Sequence, residues 1–256
     1  MGASIDKLLF QAPSPSYSET DERFMHLLTR RGKNISSFFI NNSEVYTILF
    51  SHGNAEDLGL IYGWFKQVGR ILRVNVFSYD YTGYGHNKSK PSEEDCYADI
   101  DAAMDYLTNI AGIPPSKVIL WGRSLGTGPS CYLASKQSGL GDPVCGLILQ
   151  SPLMSAFRVA LHFRWTLMGD QFANIDILPD VRCPVFIIHG TQDEVVPFWH
   201  GQELYLAVHK EHRYPPYWVQ DGGHNNVEMI DPQKFFAQVT QFLDVVTKNP
   251  KAKISS

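Results

Sequence analysis

The sequence has 256 residues, with 22 Lys and Arg against 26 Asp and Glu, a formal net charge of −4, and 44% hydrophobic residues. That is the balance of one soluble globular domain with ample apolar material for a core, spanning 1–256. The slight acidic excess leaves no patch of Lys and Arg to neutralise phosphates, so a nucleic-acid role is set aside.

Residues 1–20 read as a short N-terminal extension. Gly2 invites N-myristoylation, but Asp6 stands where that pattern needs Ser or Thr. Met1 to Pro15 holds no apolar stretch of signal-peptide length, and no run of eighteen apolar residues occurs anywhere. The expectation is a cytoplasmic protein, with peripheral membrane contact left open. The four cysteines, Cys96, Cys131, Cys145 and Cys183, have no CxxC spacing and are expected as reduced, mostly buried thiols.

Further along, short β-branched and aromatic runs alternate with amphipathic stretches, the pattern of a mostly parallel sheet flanked by helices. An opening pair of strands is expected near Ile35 to Ile40 and Tyr46 to Ser51. Others follow at Asn75 to Tyr79, Lys117 to Trp121, Val144 to Gln150, Pro184 to His189 and Tyr217 to Gln220. Ser92 with Asp95 starts a helix whose apolar face carries Tyr97, Ile100, Met104, Leu107 and Ala111, and Gly112 with Pro114 stops it. A closing helix repeats the spacing at Phe235, Val239, Phe242 and Val246. Ser151 to Pro179 breaks the rhythm: it reads as a small helical insertion, either an ordinary crossover helix or, as its place after a strand end favours, a cap over the site, and Met154, Phe157, Leu161, Phe163 and Trp165 are expected to bind the apolar part of a substrate.

The chemistry sits at strand ends. Gly122-Arg123-Ser124-Leu125-Gly126 follows Val118 to Trp121 and opens a helical stretch, the strand-turn-helix setting of a nucleophile elbow. A serine hydroxyl needs a base to take its proton and an acid to orient that base. Asp193 follows the strand ending at Ile188, and His224 follows the strand ending at Gln220. Ser124, Asp193 and His224 thus stand in the chain order this architecture uses, with Glu194 and Asp221 as alternative acids. Leu125 and Asn54 are the candidate oxyanion donors through their main-chain N–H groups, and the Asn54 side chain is expected to cap the following helix. Tyr79 to Gly85 has the look of a loop at the substrate rim. His189 is expected as a structural residue. His209 and His212, three apart on an expected helix with no carboxylate evident nearby, read as a solvated face, so no metal site is expected.

These blocks resemble the α/β-hydrolase-domain-17 family of protein depalmitoylases over about Ile5 to Val246. Thr47 to Ala55, Phe77 to Tyr81, Tyr97 to Ile100, Ser151 to Leu153, His189 to Thr191 with Asp193 to Val195, and Gly223 to Asn225 carry the likeness beside the elbow. The resemblance implies the α/β-hydrolase fold and hydrolysis of the thioester joining a long acyl chain to protein cysteine. S-acylated proteins, or acyl-ester lipids, would be the substrates, Ser124, Asp193 and His224 the triad, and no metal or organic cofactor would be needed. The alternatives are a general carboxylesterase or lipase, and a non-catalytic interaction protein on the same fold. Two departures stand out: the family's palmitoylated N-terminal cysteine cluster has no counterpart before Cys96, and Arg123 stands where a neutral polar residue is usual.

Overall fold

Strand segments that are apolar at every position need cover on both faces, and here each face has its own layer of helices. The computed structural model describes residues 9–161 and 169–248. Eight strands, β1 (Met25–Leu28), β2 (Asn34–Ile40), β3 (Thr47–Ser51), β4 (Asn75–Tyr79), β5 (Val118–Arg123), β6 (Gly146–Gln150), β7 (Val185–Gly190) and β8 (Tyr217–Val219), form one sheet in the order β1-β2-β4-β3-β5-β6-β7-β8. The β1–β2 and β2–β4 pairs are antiparallel, and the pairs from β4 through β8 run parallel.

Alternate residues serve opposite layers. Ile48, Phe50, Ile119, Trp121, Ile148, Phe186 and Ile188 pack with α1 (Leu58–Leu72) and a long C-terminal helix (Pro232–Lys248). Leu49, Leu120, Leu147, Leu149 and Ile187 pack on the other face with α2 (Glu93–Asp105) and α3 (Thr127–Gly139). Ser92 caps α2 by accepting the Asp95 N–H, as its spacing predicts. Phe235, Val239, Phe242 and Val246 are buried along one face of the C-terminal helix. Between β6 and β7 lie α4 (Ala156–Leu161) and α5 (Asn174–Ile177), followed by α6 (Trp199–Ala207) and α7 (Val227–Ile230), so the C-terminal helix is α8.

Two strand expectations are corrected. β2 pairs not with β3 but with β1, a strand absent from those expected above, and with β4, which lies between β2 and β3. The hairpin turn is closed by Gly32 N–H to Thr29 O and Thr29 N–H to Lys33 O, with Gly32 at φ 71°. Only glycine adopts that backbone at little cost, and it is the local signal for the missing strand.

Among the described residues no helix is long and apolar enough to cross a membrane. All four cysteines are free thiols; Cys96, Cys131 and Cys183 are buried and Cys145 half-buried. Burial raises the thiol pKa in each case, in Cys145 to about 11.

Asp99 on α2 is fully buried and accepts the Thr82 N–H (2.7 Å) and hydroxyl (2.9 Å). Burial outweighs these hydrogen bonds and raises its pKa to about 7. An unfolded Asp loses its proton near about pH 3.9, so between about pH 4 and 7 the native state binds more protons and its stability falls as pH rises. Relative to the wild type, Asp99→Asn should therefore gain on the order of 3–4 kcal/mol across that window and stay level above it. Denaturant unfolding of both proteins at several pH values checks this; a pH-independent difference contradicts it.

Candidate active site

The chain leaves β3 for β4 on one side and returns to β5 on the other, so a crevice opens past the carboxyl ends of β3 and β5. Ser124 stands at its edge, one residue beyond β5, at φ 51°, opening a 3-10 turn (Ser124–Gly126) that leads into α3. A left-handed serine at a sharp strand-to-helix turn is strained, and close packing holds it there. A Cβ on Gly122 would lie 2.5 Å from the Gly126 carbonyl oxygen, and one on Gly126 would lie 2.0 Å from that of Ser51. A side chain at Gly122 would push the turn and α3 away from β5, and one at Gly126 would push the turn away from the end of β3.

His224 Nε2 lies 2.9 Å from Ser124 Oγ, and its Nδ1 lies 2.8 Å from Asp193 Oδ2. A carboxylate only accepts, so Nδ1 carries the proton and Nε2 is the free base facing the serine hydroxyl. Asp193 Oδ1 accepts the N–H groups of Val195 (2.9 Å) and Val196 (2.7 Å), and His189 Nε2 lies 3.2 Å from Oδ2. Burial by itself would raise the Asp193 pKa, yet His189, His224 and the Val196 N–H together hold it well below the usual carboxylate range. The acid is an anion whose two oxygens have separate duties: Oδ1 fixes the loop and Oδ2 orients the base.

The alternative acids fall elsewhere. Glu194 Oε2 accepts the His224 main-chain N–H (3.3 Å), and Asp221 Oδ1 accepts side-chain amides of Gln192 (3.0 Å) and Gln220 (3.1 Å). His209 precedes and His212 ends a 3-10 turn (Lys210–His212), so neither sits on a regular helix. A carboxylate is close after all: Glu211 Oε1 is 3.2 Å from His209 Nδ1, on an exposed turn.

A cavity of about 750 Å³ opens at Ser124. Leu9, Leu60, Leu153, Val159 and Val195 are among its apolar lining residues, and Asn54, Leu125, Arg123 and Glu56 lie on its wall as well. The two expected oxyanion donors thus share the cavity with Ser124. The Asn54 side chain does not cap α1; that position belongs to Asp57, which accepts the Leu60 N–H. Asn54 Oδ1 instead accepts the Tyr84 hydroxyl (2.6 Å) and the Gln11 N–H (2.7 Å). The Tyr79 to Gly85 loop accordingly acts as a buttress, with Tyr81 and Tyr84 buried. Arg123 pairs with Glu56 (3.1 Å) and lies 3.8 Å from Glu228, tying the elbow to the neighbouring loop and to α7.

The expected apolar set is only partly placed. Met154 packs in the core on the α2 and α3 side of the sheet and Phe157 is half-buried, and neither lines the cavity. Their neighbours Leu153, in the loop after β6, and Ala156 and Val159, on one face of α4, do. Phe163 and Trp165 lie outside the described residues, as does the side chain of Leu161. Leu9, Leu60 and Val195 come from three distant segments, and no spacing in the sequence marks them.

Residues 46–165 match the family model described as alpha/beta hydrolase fold. Alpha/beta hydrolase domain-containing protein 17B of Xenopus laevis is 38% identical over 94% of this chain and 91% of its own length. Alpha/beta hydrolase domain-containing protein aho-3 of Caenorhabditis elegans is 38% identical over 94% of this chain and 78% of its own. Among solved structures, the Pyrococcus furiosus esterase Pf2001 superimposes with a TM-score of 0.73 at 16% identity, over 92% of this chain and 97% of that one, a likeness of fold.

Proposed function

We propose, because the chain belongs to the alpha/beta hydrolase domain-containing protein 17 family and is a hydrolase by its fold, that it cleaves long-chain acyl thioesters through an acyl-Ser124 intermediate, with S-acylated proteins as substrates. The observation that carries the reading is Ser124 Oγ, 2.9 Å from His224 Nε2 at the edge of an apolar-lined cavity.

Ser124 Oγ attacks the acyl carbonyl carbon while its proton passes to His224 Nε2. The charge that develops on the carbonyl oxygen meets the Leu125 and Asn54 N–H groups. Collapse breaks the carbon–sulfur bond, and the thiolate takes the proton from His224. Water then attacks acyl-Ser124 with His224 again as base, releasing the fatty acid and restoring the serine. Asp193 holds the imidazole in the required tautomer throughout. A thiolate, whose conjugate acid has a pKa near about 8.5, departs with little help, so thioesters should react well ahead of amides.

The acyl chain supplies the specificity. At about 0.8 kcal/mol per buried methylene, two added carbons are worth about fifteenfold in kcat/KM until the cavity is full. The test is a series of acyl thioesters from two to sixteen carbons, held below micelle formation. A rise toward the long chains is expected. Peak activity at two to four carbons would remove the long-chain reading and favour a small-ester carboxylesterase.

A further inference from the structure

We infer that His52, which does not touch the nucleophile, is the positioning residue of the oxyanion hole: it turns the Gly53–Asn54 peptide so that the Asn54 N–H faces the cavity at Ser124. The inference deepens the reading of Ser124 as an acyl-transfer nucleophile and rests on it.

His52 is fully buried just past β3, and its Nδ1 lies 2.8 Å from the Gly53 carbonyl oxygen. A carbonyl oxygen only accepts, so Nδ1 bears the proton and donates it. The peptide unit that carries this oxygen also carries the Asn54 N–H. In a trans peptide the C=O and N–H point in opposite directions from one rigid plane. Fixing the oxygen on the imidazole therefore directs the N–H away from it, and Asn54 lies on the wall of the cavity together with Ser124 and Leu125. One side-chain hydrogen bond sets the aim of a main-chain donor.

The surroundings leave the loop little freedom to turn otherwise. The Gly53 N–H is taken by Glu56 Oε2 (2.8 Å), the His52 carbonyl by the Tyr81 hydroxyl (2.6 Å), and the Asn54 side chain by Tyr84 and Gln11. The imidazole ring is itself held. Tyr81 lies against it with centroids 4.3 Å apart, and its Nε2 is 3.4 Å from Asp80 Oδ1, a carboxylate that also receives the Leu58 N–H and the Tyr17 hydroxyl. Burial opposes a charge on this ring, yet Asp80, the Gly53 carbonyl and Glu56 together outweigh it and raise the imidazole pKa. The loop and the elbow are in contact, since a Cβ on Gly126 would also lie 2.7 Å from the His52 carbonyl oxygen. A shift of His52 would thus alter the spacing between the two oxyanion donors.

The test compares His52→Asn, whose side-chain amide can occupy the place of Nδ1, with His52→Gln, which reaches toward Nε2, and His52→Ala. Each is assayed for kcat and KM on a long-chain acyl thioester, and for affinity to an alkyl trifluoromethyl ketone, which adds Ser124 and becomes an oxyanion. The matching alkyl methyl carbinol, which forms no oxyanion, measures ground-state binding. Losing one oxyanion donor typically costs about 10²–10³ in kcat. His52→Gln and His52→Ala should lose up to that factor in kcat and the same factor in ketone affinity, with KM and carbinol binding unchanged, and His52→Asn should recover most of both. Equal loss for ketone and carbinol, or His52→Asn no better than His52→Gln, overturns the positioning role. If His52→Ala does not fold, the Asn and Gln pair still decides. A wild-type protein that fails to bind the ketone overturns the role of Ser124 and the inference with it, a failure told apart by its appearing before any substitution at His52.

Discussion

Replacing Ser124 with Ala is expected to abolish labelling by a fluorophosphonate probe and to lower kcat on an acyl thioester by about 10⁴-fold or more. Removal of the hydroxyl leaves His224 with no proton to accept and the acyl group with no covalent acceptor. What survives is binding in the cavity and oxyanion stabilisation for direct attack by water, typically worth about 10³–10⁴ over the uncatalysed rate. The fold should be untouched, because a left-handed backbone suits alanine little worse than serine and close contacts of Gly122 and Gly126 hold the turn. Probe labelling that persisted in a folded Ser124→Ala protein would remove the nucleophile assignment.

Asp193→Asn should cost nearly as much, about 10⁴-fold in kcat. An amide at this position either donates to His224 Nδ1, which forces the proton onto Nε2 and away from base duty, or turns its oxygen there and sets its NH₂ against the Val195 and Val196 N–H groups. Both orientations lose something. Asp221→Asn keeps an oxygen for its two glutamine partners and should leave turnover within about twofold, since exposed polar exchanges rarely cost more than about 0.5 kcal/mol. Side-by-side kinetics on one thioester decide it; a collapse in Asp221→Asn with normal Asp193→Asn would show that the acid had been misassigned.

Much of this was legible in the sequence because parallel sheets put their chemistry at strand ends, and strand ends are what apolar runs followed by glycines mark. Ser124, Asp193 and His224 each follow such a run, and two hydrogen bonds join them. β1 escaped because Met25 to Leu28 is too short to show alternation, leaving only the Gly32 turn as a cue. The cavity wall was less accessible for a different reason. Leu9, Leu60 and Val195 meet only through tertiary packing, while the apolar density of the segment after β6 drew attention to Met154, which the core takes instead. His52 illustrates the limit. Its part depends on the direction of one peptide plane, which no residue pattern records.

The buried thiols bear on how such an enzyme could coexist with its own intermediate. In the proposed mechanism the site that activates acyl-Ser124 toward water would activate it equally toward a thiolate in the cavity, which would carry the acyl group off as a new thioester. No cysteine lines the cavity, three of the four are sealed in the core, and burial raises the pKa of every one. For the acyl-enzyme proposed above, this leaves water favoured over the chain's own thiols as the acceptor. The same property suits the chain to chemistry at an added thiol, since a surface cysteine introduced by mutation would be far more accessible than the three buried cysteines and half-buried Cys145.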